Sequence, residues 1–343
     1  MRGNFIPSNT WNKARVNNTE VALPNLEPKA YSLMNCEKKN LDFSYEEFSF
    51  SKELTETLKV FKNLEMDFVS TKDNALNKVV ELELNKENNQ LVDIIKIKAC
   101  ENSTLNLNLD YFTKENFEGF RHSIIEVEAE KNSNVKICIS QRFSLDVLSI
   151  QSVYYKVKEG ANVEFIQVDL GGRGNYVSYI GDLVEKDSNV NVSSIYFGKK
   201  EQKLDFNYIT NQRGNSTKYA LVVKGALTDK AEKICRATID FKRGSSKSKG
   251  SEQEYVTLLS DDIRNVAVPI LLCTEDDVEG LHAASAGKID EDILFYIMSR
   301  GFSESDAKRL ILESQFAEVI DLIDNEEVRK RVYTTLAEKL AEV

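Results

Sequence analysis

Between about residues 79 and 284 the chain repeats itself at nearly constant spacing, and this constrains its fold more than any other feature. ENSTL begins at Glu101, KNSNV at Lys131, EGANV at Glu159, KDSNV at Lys186, RGNST at Arg213 and RGSSK at Arg243. Their second residues, Asn102, Asn132, Gly160, Asp187, Gly214 and Gly244, are separated by 30, 28, 27, 27 and 30 positions. Asn, Asp and Gly are the residues that tolerate positive φ or bond to their own backbone, so these positions read as turns. Between them, VVELEL, DIIKIKA, IIEVEA, VKICIS, VEFIQV, VNVSSIYF and YALVVKG alternate apolar and polar residues at period two, which predicts half-buried strands. A repeat of this length makes each unit one coil stacked on its neighbours. The predicted fold is mainly β, a β-solenoid or stacked β-sheet body. A β-sandwich, with turns every 8–12 residues, fits the long period less well.

The ends differ in texture. Up to about residue 75 the chain is mixed: TWNKARVNNTEVALPNLEP reads as irregular, whereas KELTETLKVFKNL at 52–64 has helical spacing through Leu54, Leu58 and Phe61. From Ile289 onward it is helical. Asp290, Ser303 and Asn325 are placed to cap three helices, Asp306 stands at the capping-box position after Ser303, and Gly301 marks a helix stop. Val328, Val332, Leu336 and Leu340 fall on one stripe of the last helix. Three short amphipathic helices cannot bury all their apolar faces on one another, so they must pack on the β body or on a partner. The expected division is therefore an N-terminal segment over 1–75, a solenoid over 76–285 and a helical region over 286–343.

Composition excludes several function classes. A net charge of −10 argues against nucleic acid as the main partner, because phosphate binding needs clustered Lys and Arg. The basic FKRGSSKSKG at 241–250 reads as a solvated Ser-rich turn. The longest apolar run, VAVPILLC, is too short to span a bilayer, and the first residues contain no apolar signal core, so a cytoplasmic protein with no membrane partner is expected. Five widely spaced cysteines without a C-x-x-C encode neither a disulfide framework nor a self-contained zinc or iron–sulfur site. Cys138 and Cys235, among apolar neighbours, read as inert buried thiols.

Candidate chemistry is sparse. GGRGNY at 171–176 lacks both the Lys-Ser/Thr of a P-loop and the spacing of a dinucleotide fingerprint, and reads as a turn. His122 has no nucleophile motif nearby and is expected at the surface or the core edge. Asp276 and Asp277 could do glycosidase-type work on a solenoid, but solvated turns account for them better. His282 stands out: it lies in DDVEGLHAASAGKID, flanked by small residues that allow another surface to approach, and an imidazole there can bind a transition metal or carry a proton. On residue chemistry alone a purely structural histidine has equal weight.

The motifs KGAL at 224–227, LLSDD at 258–262, HAASAGKI at 282–289 and LFYIMSRG at 294–301 resemble the C-terminal half of the SufB/SufD scaffold proteins of the Suf iron–sulfur cluster assembly machinery; TWNKARVN resembles the family's N-terminal segment more weakly. The resemblance implies a right-handed parallel β-helix with terminal helical regions, in agreement with the repeat. It is closer to SufD than to SufB, since Ala283 rather than glutamate follows the histidine. It also implies that His282 takes part in an iron or nascent-cluster site, transient and shared with a partner chain, with nothing bound stably by this chain alone. Where some SufD-like members carry cysteine this chain has Gly280, which leaves Cys273 as a thiol expected nearby. Further implications are a SufB-like paralogue paired through the β-helix and a SufC-like ATPase held by the last helices, with Phe295, Tyr296, Arg300 and Gly301 at that interface. The expected function is a non-catalytic assembly scaffold. A self-associating, SufB-like homodimer and a carboxylate-dependent polysaccharide enzyme are the alternatives.

Overall fold

The computed structural model describes residues 2–8, 14–31, 41 and 59–341. It is a parallel β-solenoid of about eight turns with three C-terminal helices. A two-stranded antiparallel ribbon, β1 (Arg2–Gly3) and β2 (Thr19–Glu20), precedes it. Each coil gives one strand to each of two eight-stranded sheets. One sheet holds β3 (Leu64–Ser70), β5 (Gln90–Ala99), β7 (Gly119–Ala129), β9 (Val147–Val157), β11 (Gly174–Leu183), β13 (Lys203–Gln212), β15 (Glu232–Phe241) and β17 (Arg264–Cys273). The other holds β4 (Leu76–Leu84), β6 (Thr104–Thr113), β8 (Asn134–Arg142), β10 (Asn162–Leu170), β12 (Asn189–Gly198), β14 (Lys218–Leu227), β16 (Ser248–Leu258) and β18 (Val278–Gly287). The solenoid strands thus begin at Leu64, inside the stretch read from sequence as N-terminal. Of the helix expected at 52–64, residues 52–58 lie outside the described residues and Leu64 opens β3.

The repeating turns form one corner. Asn102, Asn132, Gly160 and Asp187 have φ of +57°, +56°, +62° and +57°. The next residue fixes the corner: the hydroxyls of Ser103, Ser133 and Ser188 donate to the carbonyls of Cys100, Glu130 and Glu185, three residues back. The column continues at Ser216 (φ +58°) and Lys247 (φ +63°) rather than at Gly214; Gly244 does take the expected positive φ, +102°, three residues ahead of Lys247. The backbone shows the true register, since Asp187 donates to Asn215 and Ser216 to Ser246, each just before the next left-handed residue, and Lys247 donates on to Asp277 in the last coil. Gly214 answers a different need, because a Cβ there would lie 2.2 Å from the Glu185 backbone.

Inside, the two sheets face each other across a lumen filled by aliphatic side chains and a chain of aromatics, Tyr155, Phe165, Tyr179 and Tyr208, with ring centroids 5.3–5.4 Å apart. The three predicted caps form: Asp290 accepts from the amides of Asp292 and Ile293, Ser303 from Asp306 and Asn325 from Val328. They start α1 (Glu291–Ser299), α2 (Glu304–Ile320) and α3 (Glu326–Leu340), and Gly301, at φ +98°, follows α1. The requirement for cover is met unequally. Leu312, Phe316 and Val319 of α2 and Val328, Val332, Leu336 and Leu340 of α3 pack on Ile166, Val168, Leu170, Ile195 and Phe197, on the outer face of the even-numbered sheet. Helix α1 has no buried residue.

The outer face of the other sheet carries the N-terminal segment. Ile6 and Val16 pack on Val268 and Ile270 of β17, while Val21, Leu23 and Leu26 pack on Val92, Phe120, Leu148, Ile150 and Tyr176. The Tyr31 hydroxyl reaches the Glu83 carbonyl at 2.8 Å. The segment is therefore a strap running lengthwise from the last coil to the first. Arg236 anchors it, donating to the Val16 and Asn18 carbonyls and pairing with Asp205 at 2.6 Å, with Arg236 and Asp205 both buried.

Candidate functional site

Strands β17 and β18 each have a neighbour on one side only, so the solenoid ends in an open coil. The middle strands β7, β9 and β11 are buried along nearly their whole length, whereas β18 has no buried residue and β17 only two, Val268 and Ile270. Leu271 is 43% and Leu281 54% exposed.

Alternation decides what reaches the lumen here. Val256, Glu254 and Glu252 take the inward positions of β16, and register carries these on to Ala286, Ala284 and His282 of β18. His282 stacks directly on Glu252, its Nδ1 2.8 Å from Oε2. Glu252 is 96% buried, its relative exposure being 4%. The two groups are close but not aligned: among the described residues neither nitrogen of His282 nor either oxygen of Glu252 completes a hydrogen bond. Burial pushes the Glu252 carboxyl up, with His282 opposing, and the Glu252 carboxylate holds the His282 imidazole above its ordinary value against the effect of burial. Both shifts favour protonation.

One rung along, Glu254 pairs with Lys233, which comes from β15 and is fully buried. Cys235, inward on β15, completes the wall, and burial pushes its thiol well above the ordinary range. A cavity of about 20 Å³, room for roughly one water, lies between Glu252, Glu254, Cys235, Pro269 and Ala284. The last coil therefore carries a paired lysine and glutamate beside a carboxyl and an imidazole that complete no hydrogen bond among the described residues, where the lumen ends at β17 and β18.

The other sequence candidates are distributed as follows. Cys273 ends β17, exposed, with its thiol 2.9 Å from the Glu275 carbonyl. Register puts it beside Phe241, next to the turn into β18. Gly280 faces the lumen against Leu271, since a Cβ there would lie 2.9 Å from that side chain, so its small size serves packing. No group of three or more His, Cys, Asp or Glu side chains that could hold a metal lies among the described residues. Phe295 and Tyr296 are 74% and 57% exposed on α1; Arg300 lies over the Tyr296 ring, 5.0 Å from its centroid, and bonds its hydroxyl at 2.9 Å. Ile293, Met298 and Phe302 extend this apolar surface. His122, expected at the surface or core edge, is instead only 1% exposed, on the outer face of β7. The sequence reading missed Glu252, Glu254 and Lys233. The alternation of β16, SEQEYV, contained the signal: Glu252 and Glu254 stand on successive inward positions, where the preceding strand β14 carries Leu221 and Val223.

A family model described as SUF system FeS cluster assembly, SufBD core domain, matches residues 82–315, which takes in the solenoid from the end of β4 onward, α1 and most of α2. The chain is 31% identical over 147 residues to the iron–sulfur cluster assembly protein SufD of Bacillus subtilis, covering 43% of this chain and 34% of that protein. It is 30% identical over 199 residues to a SufBD family protein of Pyrococcus horikoshii, 56% of this chain and 44% of the relative. Against SufD of Plasmodium falciparum it is 23% identical over 281 residues, 79% of this chain and 19% of the relative. The matched regions thus span less than half the length of each of these relatives.

Proposed function

The chain belongs to the SufB/SufD family of iron–sulfur cluster assembly proteins and is SufD-like, and from that premise we propose that it is a non-catalytic scaffold subunit whose open coil pairs with a SufB-like paralogue. The observation that carries this reading is the unpaired end formed by β17 and β18, two ten-residue edge strands, with Glu252 and His282 behind them. An edge of that length with little charge on it is a template for another sheet. Pairing there would close the lumen over the Glu252–His282 pair and bring the paralogue's side chains to it. Iron or a nascent cluster is the cargo of this shared site: His282, with its incomplete hydrogen bonding, is the ligand or proton carrier contributed by this chain, and the remaining ligands come from the partner. The exposed apolar face of α1, centred on Phe295 and Tyr296, is the seat of a SufC-like ATPase, with Arg300 and Gly301 setting the direction in which the chain leaves the helix.

The test is the subunit stoichiometry, by size exclusion with light scattering, of the chain co-expressed with SufB-like and SufC-like proteins from one genome. A complex holding one copy of this chain, one of SufB and an ATPase on each is expected. His282→Ala should assemble equally well and carry less iron and sulfide. A homodimer that ignores both partners would sink the pairing, and a stoichiometric cluster on the isolated chain would sink the shared site.

A further inference from the structure

A second site lies far from the open coil and does not depend on its role. A cleft of about 640 Å³ separates α3 from the solenoid corners that follow β6, β8 and β12. Seven of its lining residues are Lys or Arg and two, Glu115 and Glu338, are acidic, in a chain of net charge −10. Such a concentration of one sign against the balance of the whole molecule focuses a positive potential into the cleft.

Five of the seven cations fall into two groups. Arg142 and Arg331 are held by the buried carboxylate of Asp110, at 2.7 and 3.1 Å, and Lys114 pairs with Glu83 at 2.7 Å; these form the walls. Lys200, at the corner after β12, and Lys330, on α3, are exposed on facing walls and make no ion pair among the described residues. Ser144, at the corner after β8, also lines the cleft, and its Oγ is buried without a hydrogen-bond partner among the described residues. Two ammonium groups without an ion-pair partner among the described residues are donors that the oxygens of an anion in the cleft would satisfy.

We propose that this cleft binds the phosphates of a small polyphosphate anion, either free pyrophosphate or the diphosphate of a nucleotide. Its volume is that of a small-molecule site. Lysine ammonium groups are rotatable point charges suited to phosphate oxygens. An acidic protein segment fits less well, because protein docking relies on apolar or aromatic anchors and none of the exposed large apolar residues lines the cleft. Nor does any exposed ring offer a stacking surface for a base: Phe143, the lone aromatic of the lining, is 1% exposed. Recognition therefore centres on charge, and base identity matters little.

Isothermal titration of the full chain with inorganic pyrophosphate, ADP and AMP tests this. Pyrophosphate and ADP should bind with similar affinity and AMP more weakly, with affinity falling as salt is raised. Lys200→Ala/Lys330→Ala should weaken pyrophosphate at least about tenfold, while Lys218→Ala/Lys230→Ala, exposed lysines elsewhere, should not. Both altered cleft residues are exposed, so unchanged thermal melting confirms that the variant is folded. The proposal is overturned if pyrophosphate gives no saturable binding at low salt, if the cleft variant binds like the parent, or if an oligoglutamate peptide binds and pyrophosphate does not displace it. The last result would assign the cleft to an acidic protein segment.

Discussion

His122 and Asp169 are both shut away from water, and burial moves their proton affinities in opposite directions. Burial, aided by the Arg121 guanidinium, lowers the His122 imidazole to about 3, whereas burial raises the Asp169 carboxyl to about 6 against the bonds it accepts from Asn175 and Gln167. The stability consequences differ in sign. A depressed histidine contributes above its unfolded value near 6.5, and that contribution drains away as pH falls toward 3. A raised carboxyl contributes below its unfolded value near 3.8 and loses that contribution as pH rises through 6. His122→Gln should therefore flatten the acid limb of a denaturant-stability profile, with little change where the histidine is already neutral. Asp169→Asn keeps the Oδ1 acceptor and removes the buried charge; it should add up to about 3 kcal/mol in mildly alkaline buffer and nothing in acid. A profile parallel to the parent's in either case would mean that the group titrates alike folded and unfolded. Neither environment was readable in the sequence. FRHSII gives the alternation of a strand, but the cover over His122 comes from packing outside that strand.

At the scale of elements, local signals were legible where they were purely local. Alternation gave the strands, and the three caps and the stripe on α3 stand where spacing put them, because cap and stripe depend on neighbours within one turn. The corner column was legible at Asn102, Asn132, Gly160 and Asp187, and was lost at Ser216 and Lys247, residues that rarely advertise a left-handed turn and that the coil-to-coil hydrogen bonds hold there. What sequence left open was which amphipathic face is covered within the chain. Truncation should separate the two kinds of helix. Leu336→Ala, from the buried stripe of α3, should cost about 2–5 kcal/mol in denaturant unfolding. Phe295→Ala, from the exposed face of α1, should cost less than about 0.5 kcal/mol in the isolated chain. The same Phe295 change should nonetheless reduce capture of a SufC-like ATPase in a pull-down. Equal destabilisation by both changes would mean that α1 is packed in solution and its face is not free for a partner.

For the whole molecule, the solenoid's stability is approximately a sum over neighbouring coils, which leaves each end coil, the last among them, with one neighbour to hold it. The strap offsets part of this on one side: Ile6 and Val16 cover the outer face of β17, while β18 has no such cover. Sequence could not reveal the arrangement, since the bonds that fix it join Arg236 to Val16 and Asn18 across more than 200 residues and no periodicity marks them. Arg236 is thus placed to couple the strap to the open end. Arg236→Met keeps the length of the side chain but leaves Asp205 as an uncompensated buried carboxylate, a change of about 3–5 kcal/mol in a tightly buried pair. Because coils couple chiefly to their neighbours, the loss should stay near that end. Hydrogen exchange should quicken in the strap and in β17, and protease should cut within residues 14–31, while β7, β9 and α3 keep their protection. Uniform acceleration along the solenoid would mean that the coils unfold as one unit. If Asp205→Asn added to Arg236→Met restored protection, the buried charge would be the cause; if the strap stayed loose, it would be the missing bonds from Arg236 to the Val16 and Asn18 carbonyls.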